Sequence, residues 1–214
     1  MSLNIKILIV DDHVIVREGL KRILSKCDDI NVISEAGNCF EAIRLIQQNK
    51  YSIIILDISM PGKSGLELLT EIKSINPTQK VLILSMHSEN IYAKRTLLAG
   101  ASGYMTKESA PNDLVDAIYK IHKGGKYISP SLAEILVDTI GNSQKIPPHE
   151  TLSNREYQVF EMIAVGKKIV EIANELHLSS KTISTYRSRI INKMKLSSNT
   201  ELTKYAIANK LISM

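Results

Sequence analysis

Short apolar runs alternate with amphipathic stretches through the first 125 residues, and this alternation constrains the fold more than any other feature of the chain. Ile5 to Val10, Ser52 to Leu56, Lys80 to Leu84 and Ser102 to Met105 read as buried strands, with the more polar Ile30 to Glu35 as a fifth. Between them, Val14 to Leu24 carries apolar residues at 16, 20, 23 and 24. Phe40 to Ile46 continues that helical spacing, and similar patterns recur at Leu66 to Ile72, Ile91 to Leu98 and Leu114 to Ile121. Five βα units in succession predict an α/β domain built on a five-stranded, doubly wound parallel sheet. Such sheets bind ligands beyond the carboxyl ends of their strands, where the strand order reverses.

Polar residues fall at those strand ends. Asp11 and Asp12 follow the first strand, Asp57 ends the third, Ser85 ends the fourth, and Lys107 lies two residues past the fifth. Three carboxylates ~5 Å apart at an effective dielectric of ~20 repel by roughly 3 kcal/mol per pair, so convergence calls for a hard cation or a shared proton. Magnesium suits the set, because it takes carboxylate and carbonyl oxygens while keeping water and phosphate in its shell. With Lys107 neutralising incoming phosphate oxygens, Asp57 can attack as a nucleophile and become an aspartyl-phosphate. Taken singly, each residue has a plainer reading. An acid pair after a strand also serves as a turn or cap, Ser85 or Lys107 alone as a loop residue, and His13 as a bystander at a helix start. Cys27 and Cys39 lack metal or disulfide spacing and read as packing residues. Gly62 and Gly65 after Pro61 suit a turn, and Gly103 a close approach.

LIVDDH, ILDISMPGKSG, LSMH and GASGYMTK, in this order, resemble the receiver domain of two-component response regulators over residues 3–125. The resemblance implies that Asp57 is the phosphoacceptor. It further implies that Asp11, Asp12, Asp57 and the backbone carbonyl of Ser59 hold Mg2+, and that Ser85 and Lys107 bind the phosphoryl oxygens. Tyr104 matches the aromatic switch position that turns inward when Ser85 is drawn toward the phosphate.

Past Gly124 and Gly125 comes a helical pattern at Ser131 to Ile140, then GNSQKIPPHE, whose Gly141, Asn142, Ser143, Pro147 and Pro148 break regular structure. The expected division is residues 1–125, a linker over 126–148, and a small all-α domain of four helices over 149–214. Ser153 and Glu156 form a capping box ahead of Val159, Phe160, Ile163 and Ala164, with Gly166 closing that helix. Ile169 to Leu176 is a second helix, and a tight turn at His177 to Ser179 leads into a third running to about Met194, capped by Ser179 or Ser180. Its apolar face is Ile183, Tyr186, Ile190 and Met194; its polar face carries Lys181, Ser184, Thr185, Ser188 and Asn192. Ser198 and Glu201 open a last helix as a second capping box.

The segment LSNREYQVFEMIAVGKKIVEIANELHLSSKTISTYRSRIINKMKLSSNTEL resembles the LuxR-type helix-turn-helix, and with the receiver pattern it is similar to the NarL/FixJ class of response regulators. That class implies a major-groove reading helix, with Ser184, Thr185 and Ser188 toward bases and Thr182 among the DNA-binding residues. Lys181, Arg187, Arg189, Lys193 and Lys195 would then meet phosphates. Residues 1–144 carry 16 Lys+Arg and 16 Asp+Glu, whereas 145–214 carry 11 and 6, so the whole net charge of +5 sits in the last third. A basic small domain fits a polyanionic partner, double-stranded DNA, although a solvated basic surface has the same composition. The implied partners are a sensor histidine kinase or phosphotransfer protein, DNA, and a second copy in a homodimer. Two rivals remain at this point. One is an aspartyl-phosphate phosphatase or phosphotransferase with protein-binding helices; the other is a DNA binder whose receiver is vestigial. No apolar run approaches the ~18–20 residues that span a bilayer, and the N-terminus runs straight into a strand pattern without a cleavable leader, so no membrane contact and a cytoplasmic location are expected.

Overall fold

The computed structural model describes residues 4–86, 89–134, 147–209 and 211–212, with the backbone alone at 89–91. The chain divides into two compact units, Met1–Val137 and Asp138–Met214.

In the first unit, β1 (Ile5–Val10), β2 (Ile30–Ala36), β3 (Ile53–Asp57), β4 (Val81–Ser85) and β5 (Gly103–Thr106) form one parallel sheet in the order β2-β1-β3-β4-β5. The order reverses between β1 and β3, which places a switch point beside Val10 and Leu56, paired across those strands. Every residue of β3 and β4 is buried, as expected of strands covered on both faces, whereas β2 lies at an edge and is buried only at Ile30 and Ala36; this is why it reads as the polar strand.

Five helices connect and follow the strands: α1 (Val14–Leu24), α2 (Cys39–Gln48), α3 (Gly65–Ile75), α4 (Glu89–Leu98) and α5 (Ala110–His122). Leu20 and Leu24 of α1 and Leu114, Ile118 and Ile121 of α5 close the core against Ile5, Ile7, Ile9 and Ile53. The sheet edge continues past α5. Tyr127 bridges to Gly103 and donates its N–H to Ser102 O at 3.0 Å, and a Cβ on Gly103 would lie 2.8 Å from Tyr127 O. Residues 130–134 are helical, the start of the pattern expected over Ser131 to Ile140; the rest of it, with Gly141, Asn142 and Ser143, lies outside the described residues.

The second unit opens with a 3-10 turn, Pro148–Thr151, followed by α6 (Asn154–Ala164), α7 (Ile169–Glu175), α8 (Ser180–Met194) and α9 (Asn199–Ala208). The capping box of Ser153 and Glu156 is formed, and Ser179 is the residue that caps α8. At α9 the expected box is displaced. Ser198 Oγ accepts from Glu201 N, but the Glu201 carboxylate accepts from Ser197 N at 2.7 Å, one residue earlier. Tyr157, Phe160, Ile172, Ile183, Ile190, Leu202 and Ala206 form the core. His149 of the opening turn joins it, its Nδ1 2.9 Å from Tyr205 OH on α9, with its ring tilted against Tyr157 and Tyr205.

Candidate phosphoacceptor site and nucleic-acid interface

β1 and β3 deliver the acids. Asp57 is the last residue of β3 and Asp11 the first after β1, and both are 1% exposed, a burial that free carboxylates do not tolerate without a counter-charge. Lys107, the first residue after β5, supplies one. Its Nζ lies 3.0 Å from Asp57 Oδ2 and 2.7 Å from Asp11 Oδ2. Burial pushes the Asp57 carboxyl above its usual range, Lys107 pulls it back, and the Asp11 charge adds to the rise; the net direction is upward. Burial opposes the Lys107 ammonium, but Asp57 and Asp11 outweigh it and hold Lys107 above the ordinary lysine value.

One lysine does not satisfy this cluster. Single oxygens or nitrogens of Asp11, Asp12, His13 and Asp57 all lie within 4.8 Å of one another. Asp11 Oδ2 touches Lys107, and Asp12 Oδ1 lies 3.0 Å from His13 Nδ1, but neither buried oxygen accepts a hydrogen bond of proper geometry. Converging, under-coordinated carboxylate oxygens suit a small divalent cation. Ser59 N donates to Asp57 Oδ1 at 3.3 Å, which brings the Ser59 backbone beside the same carboxylate. Ser85 is wholly buried at the end of β4, where its carbonyl accepts Lys107 N at 2.7 Å; Tyr104 on β5 is also wholly buried.

Two residues contribute more than their sequence positions disclose. His13, read as a bystander, turns its ring toward both Asp11 and Asp12 at 3.3 and 3.0 Å, a contact its neighbouring position allowed but did not require. Gly65 begins α3 and is a point of contact rather than a turn glycine: a Cβ there would stand 1.9 Å from Asp57 O, and its N–H donates to Ile58 O at 2.9 Å. Only a residue without a side chain lets α3 start this close beneath the acid.

In the second unit, α8 exposes Lys181, Ser184, Thr185, Ser188, Arg189, Asn192 and Lys193, followed by exposed Lys195, while Ile183, Ile190 and Met194 face inward and Tyr186 is half-buried. The hydroxyls of Ser184, Thr185 and Ser188 donate to carbonyls four residues back at 2.9, 3.0 and 3.1 Å, so their outward lone pairs remain as acceptors. Thr182 is drawn into the cap, its N–H and hydroxyl both at Ser179 Oγ. Half-buried Arg187 donates to Asn199 Oδ1 at 2.6 Å. Lys193 reaches back to the buried Glu156 at 2.6 Å, the same carboxylate that caps α6.

A buried acid-lysine cluster at the switch point of a doubly wound sheet, followed along the chain by a helix-turn-helix, defines a class: signal-receiving regulators with a DNA-binding output. Residues 7–119 match the family profile of the response regulator receiver domain, and 150–206 that of bacterial regulatory proteins of the luxR family. The chain belongs to the response regulators, with a receiver and a LuxR-type DNA-binding domain. Response regulator UvrY of Escherichia coli (strain K12) is 36% identical over 208 residues, 97% of this chain and 95% of that protein. Response regulator GacA of Pseudomonas aeruginosa is 35% identical over 209 residues, 97% and 98% of the two chains. Among solved structures, the RcsB response regulator of Salmonella typhimurium superposes with a TM-score of 0.72 at 27% identity, over 97% of this chain and 98% of that one. RcsB of Salmonella enterica serovar Typhimurium bound to promoter rprA in the presence of phosphomimetic BeF3- gives 0.67 at 26% identity, over 94% and 98%. Among the described residues no helix is long and apolar enough to cross a membrane.

Proposed function

We propose that Asp57 accepts a phosphoryl group from a sensor histidine kinase or phosphotransfer protein, and that this modification controls DNA binding by the second unit, in the cytoplasm. The observation that carries the reading is the single lysine shared by two buried acids: Lys107 stands where the phosphoryl oxygens of a modified Asp57 would arrive. A carboxylate oxygen of Asp57 attacks phosphorus, the bond from phosphorus to the donor breaks, and the donor leaves with its electron pair. Lys107 Nζ and the Ser85 hydroxyl receive the new phosphoryl oxygens. Asp11, Asp12, Asp57 and the Ser59 carbonyl would hold Mg2+, which when bound supplies the positive charge that these crowded acids lack. Ser85 and Tyr104, buried on adjacent strands, form the path by which the modified site alters the receiver surface.

Ser184, Thr185 and Ser188 are the base-facing candidates on α8, Lys181, Arg187, Arg189, Lys193 and Lys195 the phosphate-facing ones, and Thr182 a further DNA-contact candidate. That RcsB has been solved bound to promoter rprA supports a DNA-binding role for the second unit. A solved RcsB structure of two dimers bound to two parallel DNAs supports a homodimer on paired half-sites. Mass spectrometry after incubation with acetyl phosphate and MgCl2 tests the first half: one phosphoryl group is expected on wild type and none on Asp57→Asn. Labelling of Asp57→Asn to the wild-type level would overturn the assignment. For the second half, DNA affinity is expected to rise on treatment in wild type alone; equal affinity with and without donor would remove the switch.

A further inference from the structure

We propose that Arg17 is a positioning residue for the acidic cluster: it fixes the backbone of Asp11, and so sets the geometry in which Asp11 and Asp12 take a divalent cation. Arg17 lies early in α1, six residues after Asp11, with its side chain 15% exposed. Its Nη1 donates to Asp11 O at 2.7 Å, and its Nε donates to Glu35 Oε2 on the neighbouring strand β2 at 3.2 Å. The other Glu35 oxygen is held by Lys21 Nζ at 2.7 Å, which keeps that carboxylate in place.

Asp11 is thereby held at its backbone and at one carboxylate oxygen, while the other is left to the lysine. Its N–H donates to Ala36 O at 3.1 Å, its carbonyl accepts from Arg17, Oδ1 accepts His13 N at 2.8 Å, and Oδ2 meets Lys107. Both Arg17 bonds go to atoms outside the carboxylate cluster, so the residue acts through Asp11 rather than on the cation or the phosphoryl group. The planar guanidinium is suited to this because it bonds a carbonyl on one edge and a carboxylate on another at once, which a lysine ammonium on a flexible stem does less well. Groups that orient a ligating side chain are typically worth about 10–100-fold in metal affinity.

Resting on the cation-site reading above, the inference is tested by titrating the full chain with MgCl2 and following the thermal midpoint against each variant's own metal-free value. Circular dichroism checks that each variant is folded before titration. Arg17→Met is expected to weaken the apparent Mg2+ affinity about 10–100-fold, with acetyl phosphate labelling of Asp57 returning close to the wild-type rate at saturating Mg2+. Arg17→Lys should fall between the two, and Glu35→Gln, which leaves the carbonyl bond available, should lose less than Arg17→Met. Unchanged affinity in Arg17→Met, or a labelling defect that persists at saturating Mg2+, overturns the proposal. Should Arg17→Met not fold, wild-type affinity in Arg17→Lys overturns it equally. A wild-type protein that takes up no Mg2+ removes the cation-site reading and this inference with it; wild-type binding matched by Arg17→Met removes Arg17 alone.

Discussion

Asp57 is held at a cost to the metal-free protein. Its carboxyl is pushed upward, so between the unfolded and folded values the native state binds more protons, and stability falls as pH rises through that window. Asp57→Asn removes the charge and leaves Lys107 paired with Asp11. The metal-free receiver should therefore gain about 1 kcal/mol at neutral pH, roughly 3–5 °C by calorimetry, while losing acetyl phosphate labelling. Gly65→Ala should do the reverse. Its Cβ would collide with the backbone of Asp57 and Ile58, so a loss of at least about 2 kcal/mol in denaturant midpoint is expected, together with slower labelling. The acids and Lys107 were legible in the sequence because strand ends at a switch point are fixed by period and order. Gly65 and Arg17 were not, since their roles depend on the close approach of α3 to β3 and on Glu35 reaching across from β2, distances that spacing along the chain does not encode.

At the scale of elements, α8 combines two tasks that composition had merged into one basic face. Lys193 was expected among the phosphate contacts, yet its ammonium is engaged by Glu156, 37 residues away in sequence, a pairing no local pattern reveals. Burial works against the Glu156 carboxylate, but Lys193 and the Ser153 cap together hold it below its usual range. Such a group stabilises above its unfolded value, and the contribution is lost as pH falls through the lower folded one. Lys193→Met should thus cost about 1 kcal/mol at neutral pH, given the partly exposed ammonium, and urea denaturation should show the difference shrinking as pH drops below about 4.5. Against DNA, Arg189→Ala should shallow the salt slope by about 1, and Lys193→Ala by less. Lys195 ends α8 at φ 55, a left-handed conformation that costs a non-glycine residue about 1–2 kcal/mol. Glycine's larger unfolded entropy offsets about 0.4–1 of that. Lys195→Gly should then raise stability by about 0.5 kcal/mol while weakening binding, so thermal midpoint and DNA affinity should move in opposite directions. The helices themselves, and three of their caps, could be read from Ser153, Ser179 and Ser198; the displaced Glu201 contact could not, because its carboxylate chose between adjacent N–H groups.

For the whole molecule, the chain divides its labour by charge and burial: a neutral α/β unit crowds acids into its interior, and a basic helical unit spreads cations over an outer face. The beginning and end of the smaller unit are also joined, since His149 in the opening turn is hydrogen-bonded to Tyr205 on α9, and that same turn packs against α8. Pro147 leads within one short turn of chain into contacts with α8 and α9 at once, so a change that dislodges His149 would loosen two helices rather than one.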